Sequence, residues 1–128
     1  MLALAVLGGC SDDEQGADPP PAEGVSRQVG EVVERLEAAS RLRDFETICE
    51  DLLSAGARER AGGADCEGLV RSTAGDVRRP EIEVLSIRIS GDRADARVRS
   101  TAEGQDPIED TIRLVREDGG YRIAALGG

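Results

Sequence analysis

At Pro80 the spacing of apolar residues changes from helical to alternating, and that one switch restricts the chain to few folds. Upstream, Val25, Val29, Val32, Val33, Leu36 and Ala39 recur every three or four residues. This predicts an amphipathic helix to about Arg41, with Ser26 as its cap and Glu31, Glu34, Arg35 and Glu37 outside. Asp44 is placed to cap a second helix, in which Phe45, Ile48, Cys49, Leu52 and Leu53 share a face. Ser54 to Gly63 reads as a loop or short helical turn. Asp65 then opens a third helix carrying Cys66, Leu69, Val70, Thr73 and Val77. Proline disfavours helix in the residue before it, so Arg78-Arg79-Pro80 closes the helical half.

Downstream the period is two. Ile82 and Val84 alternate, as do Leu85, Ile87 and Ile89, and the phase slip between Val84 and Leu85 predicts a bulge. Ser90-Gly91-Asp92-Arg93 is a turn, and Ala94, Ala96 and Val98 alternate with Asp95, Arg97 and Arg99. Thr101 to Pro107 reads as a loop. Thr111 to Glu117 is a third strand, joined through Glu117-Asp118-Gly119-Gly120 to a last one bearing Tyr121, Ile123 and Ala125. Helices followed by a strand meander predict an α+β domain, three N-terminal helices packed on one face of a four-stranded antiparallel sheet. Phe45 and Tyr121 are the sole aromatics, so the core is built from Val, Leu, Ile and Ala.

The N-terminus carries information of another kind. Met1 to Leu7 is apolar throughout, and Leu7-Gly8-Gly9-Cys10 resembles the lipobox of bacterial lipoproteins. That resemblance implies diacylglycerol on the Cys10 thiol, removal of residues 1–9 and an extracytoplasmic domain anchored to the cell membrane. No arginine or lysine precedes Cys10, so the signal is read as truncated, its start codon set downstream of the true one. Residues 10–24 then form the lipidated cysteine and an acidic linker with three consecutive prolines, too polar to bury a core. The folded domain spans residues 25–128.

With Cys10 acylated, Cys49 and Cys66 remain as a pair. In an exported chain they are expected to form a disulfide; the alternative is two buried thiols acting as small hydrophobes. A zinc site has no histidine to draw on, and no cofactor is implied.

The Val-rich first helix, Arg43-Asp44-Phe45, Ile89 to Val98 (ISGDRADARV) and Thr111 to Leu126 (TIRLVREDGGYRIAAL) together resemble the nuclear transport factor 2 (NTF2)-like superfamily. The nearest likeness is to small exported lipoproteins of actinobacteria. The resemblance implies a cone, a curved sheet wrapped round a helix, often with a pocket inside. Arginine supplies all 16 cations beside abundant Ala and Gly, which matches a high-GC bacterial coding sequence.

Chemistry is sparsely signalled. Enzymes of that superfamily, such as isomerases and dehydratases, need a base and a donor aimed at a developing oxyanion, and an isomerase- or dehydratase-like activity is the minor alternative for this chain. Here the inward strand candidates Ile87, Ile89, Ala96, Val98, Ile112, Leu114 and Ile123 are aliphatic, and only a buried Asp95, Glu109 or Asp110 could supply a carboxylate. Glu46 and Glu50, one turn apart, read as a solvated face, and Ser40, Ser54 and Ser72 lack a histidine base. A net charge of −10, shared equally between residues 11–23 and the domain, argues against nucleic acid. Two non-catalytic roles are expected. One is an envelope interaction module, with Arg88, Arg97, Arg99, Arg113 and Arg122 either facing an acidic protein partner or simply solvated. The other is a carrier holding an apolar small molecule or lipid in the cone.

Overall fold

A computed structural model describes residues 21–126, with side chains from Gly24 onward. Helix α1 (Pro21–Leu42) opens four residues before Val25, so Ser26 lies inside it and is not its cap. Proline suits a first helical position, where its fixed φ is already helical and no amide is left unpaired. Val25, Val29, Val32, Val33, Leu36 and Ala39 are all buried. At the other end Arg43 takes a left-handed conformation (φ 55°) and stops the helix.

Asp44 caps α2 (Phe45–Thr47), accepting from the Thr47 amide at 3.1 Å and the Thr47 hydroxyl at 2.7 Å. The chain continues as a π turn, Ile48–Leu52, in place of the α-helix that the spacing suggests. The wider turn, closed by the Leu53 amide on the Ile48 carbonyl, puts Ile48, Cys49, Leu52 and Leu53 all inside. The stretch read as a loop or short helical turn contains α3 (Ala55–Arg60), capped by the Ser54 hydroxyl, and is followed by a 3-10 turn at Gly63–Asp65. Helix α4 (Cys66–Ala74) ends before Val77; Asp65 precedes it without a side-chain capping bond.

The sheet is antiparallel, in the order β1 (Glu81–Ser90), β2 (Arg93–Ala102), β3 (Gln105–Glu117), β4 (Gly120–Leu126). Register slips between Val84 and Ser86, where the phase change places a bulge, and again in the β2–β3 and β3–β4 pairs. The expected loop at Thr101 to Pro107 is a tight hairpin instead: β2 runs to Ala102 and β3 begins at Gln105. Asp118 and Gly119 both have positive φ (53° and 81°), the mirror-image turn that matches strand twist. Helix α1 contacts both β1 and β4, the two outer strands, so the sheet curves around it. Ala94, Ala96, Val98, Ile112, Leu114, Tyr121 and Ile123 join the α1 side chains in one core.

Cys49 and Cys66 form a disulfide, their Cα atoms 6.1 Å apart, which ties the π turn to the start of α4. Two further clamps fix α1 to β1. The Ile82 amide donates to Glu37 at 2.7 Å, and Arg41 donates to the Pro80 carbonyl at 2.9 Å while pairing with Glu81 at 3.3 Å.

Candidate functional site

Most of the aliphatic strand positions are taken up by packing in the core. Of the seven inward candidates, Leu114 borders one surface cavity and Ile123 a second, more apolar one. That cavity, about 560 Å³, lies to one side, between the C-terminal half of α1, the π turn, α3, α4 and β4. Its size suits a small organic ligand, for which pockets run about 300–1,000 Å³.

Each wall follows from local sequence. Leu36 and Ser40 come from the last turns of α1, Phe45 and Ile48 from the element after it, and Leu53 and Ile123 lie together behind them. Ala57 on α3 and Ala61, which caps its C-terminal end, stand one turn apart, as do Val70 and Ala74 on α4, so both segments contribute short side chains to the wall. Ala124 and Ala125 do the same from β4. Five alanines in the wall leave the space that larger residues would fill. Leu69 and Leu126, roughly half exposed, also line it.

Arg43 and Arg60 are the charged residues of the wall, and no carboxylate stands among them. Arg43 donates to the Gly75 carbonyl at 3.1 Å, with its guanidinium 5.1 Å from the Phe45 ring centre. Arg71, outside the wall, approaches the same ring at 5.3 Å. Arg60 donates to the Ala124 carbonyl at 2.6 Å.

No acid–base pair is assembled here. Asp95, Glu109 and Asp110 are exposed, which removes the buried carboxylate that the sequence left open. A hydrogen bond from Arg99 holds Glu109 below the usual carboxylate range; desolvation opposes it, and the charges of Arg97 and Arg99 add to the lowering. A general acid at neutral pH needs the opposite shift. Glu46 and Glu50 are solvent-facing, and Glu50 pairs with Arg58 at 2.6 Å. The Tyr121 hydroxyl is buried and finds no partner among the described residues. Nor do the described residues contain a cluster of three or more metal-ligating side chains.

On the outer sheet, Arg97 and Arg99 both bond Glu109, at 2.6 and 3.1 Å, and Arg116 meets Asp92 at 3.6 Å. Arg122 donates to the Glu50 carbonyl. Arg97 and Arg99 are thus compensated from within, whereas Arg88, Arg113 and Arg122 have no carboxylate within 4 Å among the described residues. Leu7, Gly8, Gly9 and Cys10 lie outside the described residues. No described helix is long and apolar enough to cross a membrane.

Sequence spacing missed the pocket because its walls come from small residues in a stretch rich in glycine. The usable signal was the alanine pairing at one-turn spacing behind a serine cap.

Neither a protein-family model nor a curated protein matches the chain by sequence. Solved structures do match its fold. An NTF2-like protein of unknown function from Shewanella baltica superposes with a TM-score of 0.61 at 18% identity, covering 85% of this chain and 94% of that one. A second, from Silicibacter pomeroyi, gives 0.59 at 20% identity, with 84% and 96% covered. A candidate NTF2-like transpeptidase from Campylobacter jejuni gives 0.53 at 14% identity, with 75% and 96% covered. The fold is therefore NTF2-like.

Proposed function

We propose that this chain is a non-catalytic binding protein of the bacterial cell envelope, tethered through lipid on Cys10, that holds an apolar small molecule. The carrying observation is the alanine-lined cavity between the helical layer and β4, whose wall is overwhelmingly apolar. Such a cavity binds by removing apolar ligand surface from water, at roughly 25 cal/mol per Å². Its lack of a carboxylate supports binding over acid–base chemistry.

The tether rests on Leu7-Gly8-Gly9-Cys10, on the acidic proline-bearing stretch behind it, and on the bonding of the other two cysteines to each other. The tether joins the N-terminal end of α1, whereas Leu36 and Ser40 line the pocket about 23–29 Å further along the helix. The mouth thus lies towards the end of α1 remote from the anchor.

Two measurements test this reading. Native mass spectrometry of the full chain from its own membrane, in mild detergent, should show an added mass released by organic solvent. Metabolic acyl labelling should be lost in Cys10→Ala; labelling that persists removes the anchor.

A further inference from the structure

We propose that the ligand of this pocket is an acidic amphiphile, its carboxylate seated at Arg43 and its apolar body against the alanine-lined wall. The proposal rests on the pocket reading above and adds the charge and orientation of the occupant.

Charge distribution is the first observation. The domain has a net charge of −5, yet the cavity wall carries two arginines and no acid. Arg35, Arg41, Arg58, Arg97, Arg99 and Arg116 each have a carboxylate within 4 Å. The other ten have none among the described residues, and of these Arg43 and Arg60 are the two that line this cavity. Arg43 bonds one backbone carbonyl, which leaves donors of its planar fork unspent, and such a fork matches a carboxylate. The nearest acid in sequence, Asp44, is already engaged by Thr47.

The second observation is the backbone. Arg43 sits where a helix ends in the left-handed region, a place where glycine is favoured because a Cβ is strained there. An arginine at that position costs stability, and strained residues gather at ligand clamps. Its guanidinium is nevertheless fixed twice, by the Gly75 carbonyl and over the Phe45 ring, which itself lines the cavity. Arg71 approaches the same ring, so two cations stand against Phe45 at this end of the pocket and add to the positive potential an anion would meet there.

The test titrates the full chain with dodecanoate, dodecanol and dodecylammonium, which share a tail and differ in head charge. Dodecanoate should bind at least about tenfold tighter than dodecanol, the gain of one charge-assisted hydrogen bond, and dodecylammonium weakest. Arg43→Asn, whose side chain tolerates the left-handed backbone, should abolish the preference for dodecanoate over dodecanol. Equal binding of all three probes by the wild type overturns the acidic head and leaves the pocket standing. Failure of all three to bind overturns the pocket and this inference with it. Should Arg43→Asn fail to fold, the wild-type ratio of dodecanoate to dodecanol still decides.

Discussion

Leu53 and Ile123 lie side by side in a parallel bridge, and the neighbouring Ser54 amide donates to the Ile123 carbonyl at 2.8 Å. This contact pins the helical layer to the outer strand β4, and both residues back the cavity.

Ser54 completes the junction by capping α3, its buried hydroxyl accepting from the Ala57 amide at 3.1 Å. Ser54→Ala should cost about 1 kcal/mol in urea unfolding, as loss of a serine cap does. Because α3 and its C-terminal cap supply Ala57 and Ala61 to the wall, the variant should also bind apolar probes more weakly. Unchanged stability would mean that the cap is idle.

The Cys49–Cys66 bond closes a loop of 17 residues and fixes α4, which supplies Val70 and Ala74 to the wall. Reduction, or Cys49→Ala with Cys66→Ala, should lower stability by about 3 kcal/mol on the loop-entropy account. Thiol titration of untreated protein should find no reactive Cys49 or Cys66. Two free thiols in exported protein would contradict the pairing.

Tyr121 is 5% exposed, and its hydroxyl has no partner among the described residues. Burying an unbonded hydroxyl is unfavourable, so Tyr121→Phe should raise stability by about 1 kcal/mol. The ring lies beneath Arg116, whose carbon Cζ is 5.2 Å from its centre, and phenylalanine keeps that contact. A less stable variant would mean that the hydroxyl is bonded in solution.

Asp44 is held below the usual carboxylate range, first by the Thr47 hydroxyl and then by the Thr47 amide; Glu109 is held low by Arg99. A carboxyl whose folded pKa is depressed stabilises the fold above its unfolded pKa, and that contribution disappears as pH falls through the folded value. Thermal stability should therefore decline on acidification below the ordinary carboxylate range. Asp44→Asn and Glu109→Gln should each flatten that decline, and both groups are exposed, so high salt should weaken the Glu109 effect. A melting temperature that does not change with acid would contradict both assignments.

The fold was largely legible because period carries it. The valines of α1, the strand alternation and even the slip at Leu85 correspond to structure. What was not legible depends on partners distant in sequence. The π turn satisfies Cys49 and Leu53 together, which a local α-helical reading of Phe45 to Leu53 cannot express. Thr101 to Pro107 looked like a loop because polarity was taken for irregularity, whereas a hairpin end projecting into water is polar on both sides. The pocket was hidden for a related reason. Alanine in sequence does not say whether a neighbour fills the space beside it; Ala39 and Ala96 are buried in the core, while Ala74 and Ala124 face the cavity.

The measurement closest to the central claim fills that cavity from inside. Ala74→Trp puts a large ring into the pocket from α4, and Ser86→Trp puts the same ring on the exposed side of β1. Both variants are to be checked for fold by circular dichroism and titrated with an apolar fluorescent probe. Pocket binding requires that Ala74→Trp, still folded, lose the probe at least tenfold while Ser86→Trp binds like the wild type. Equal probe affinity in all three folded proteins would contradict it.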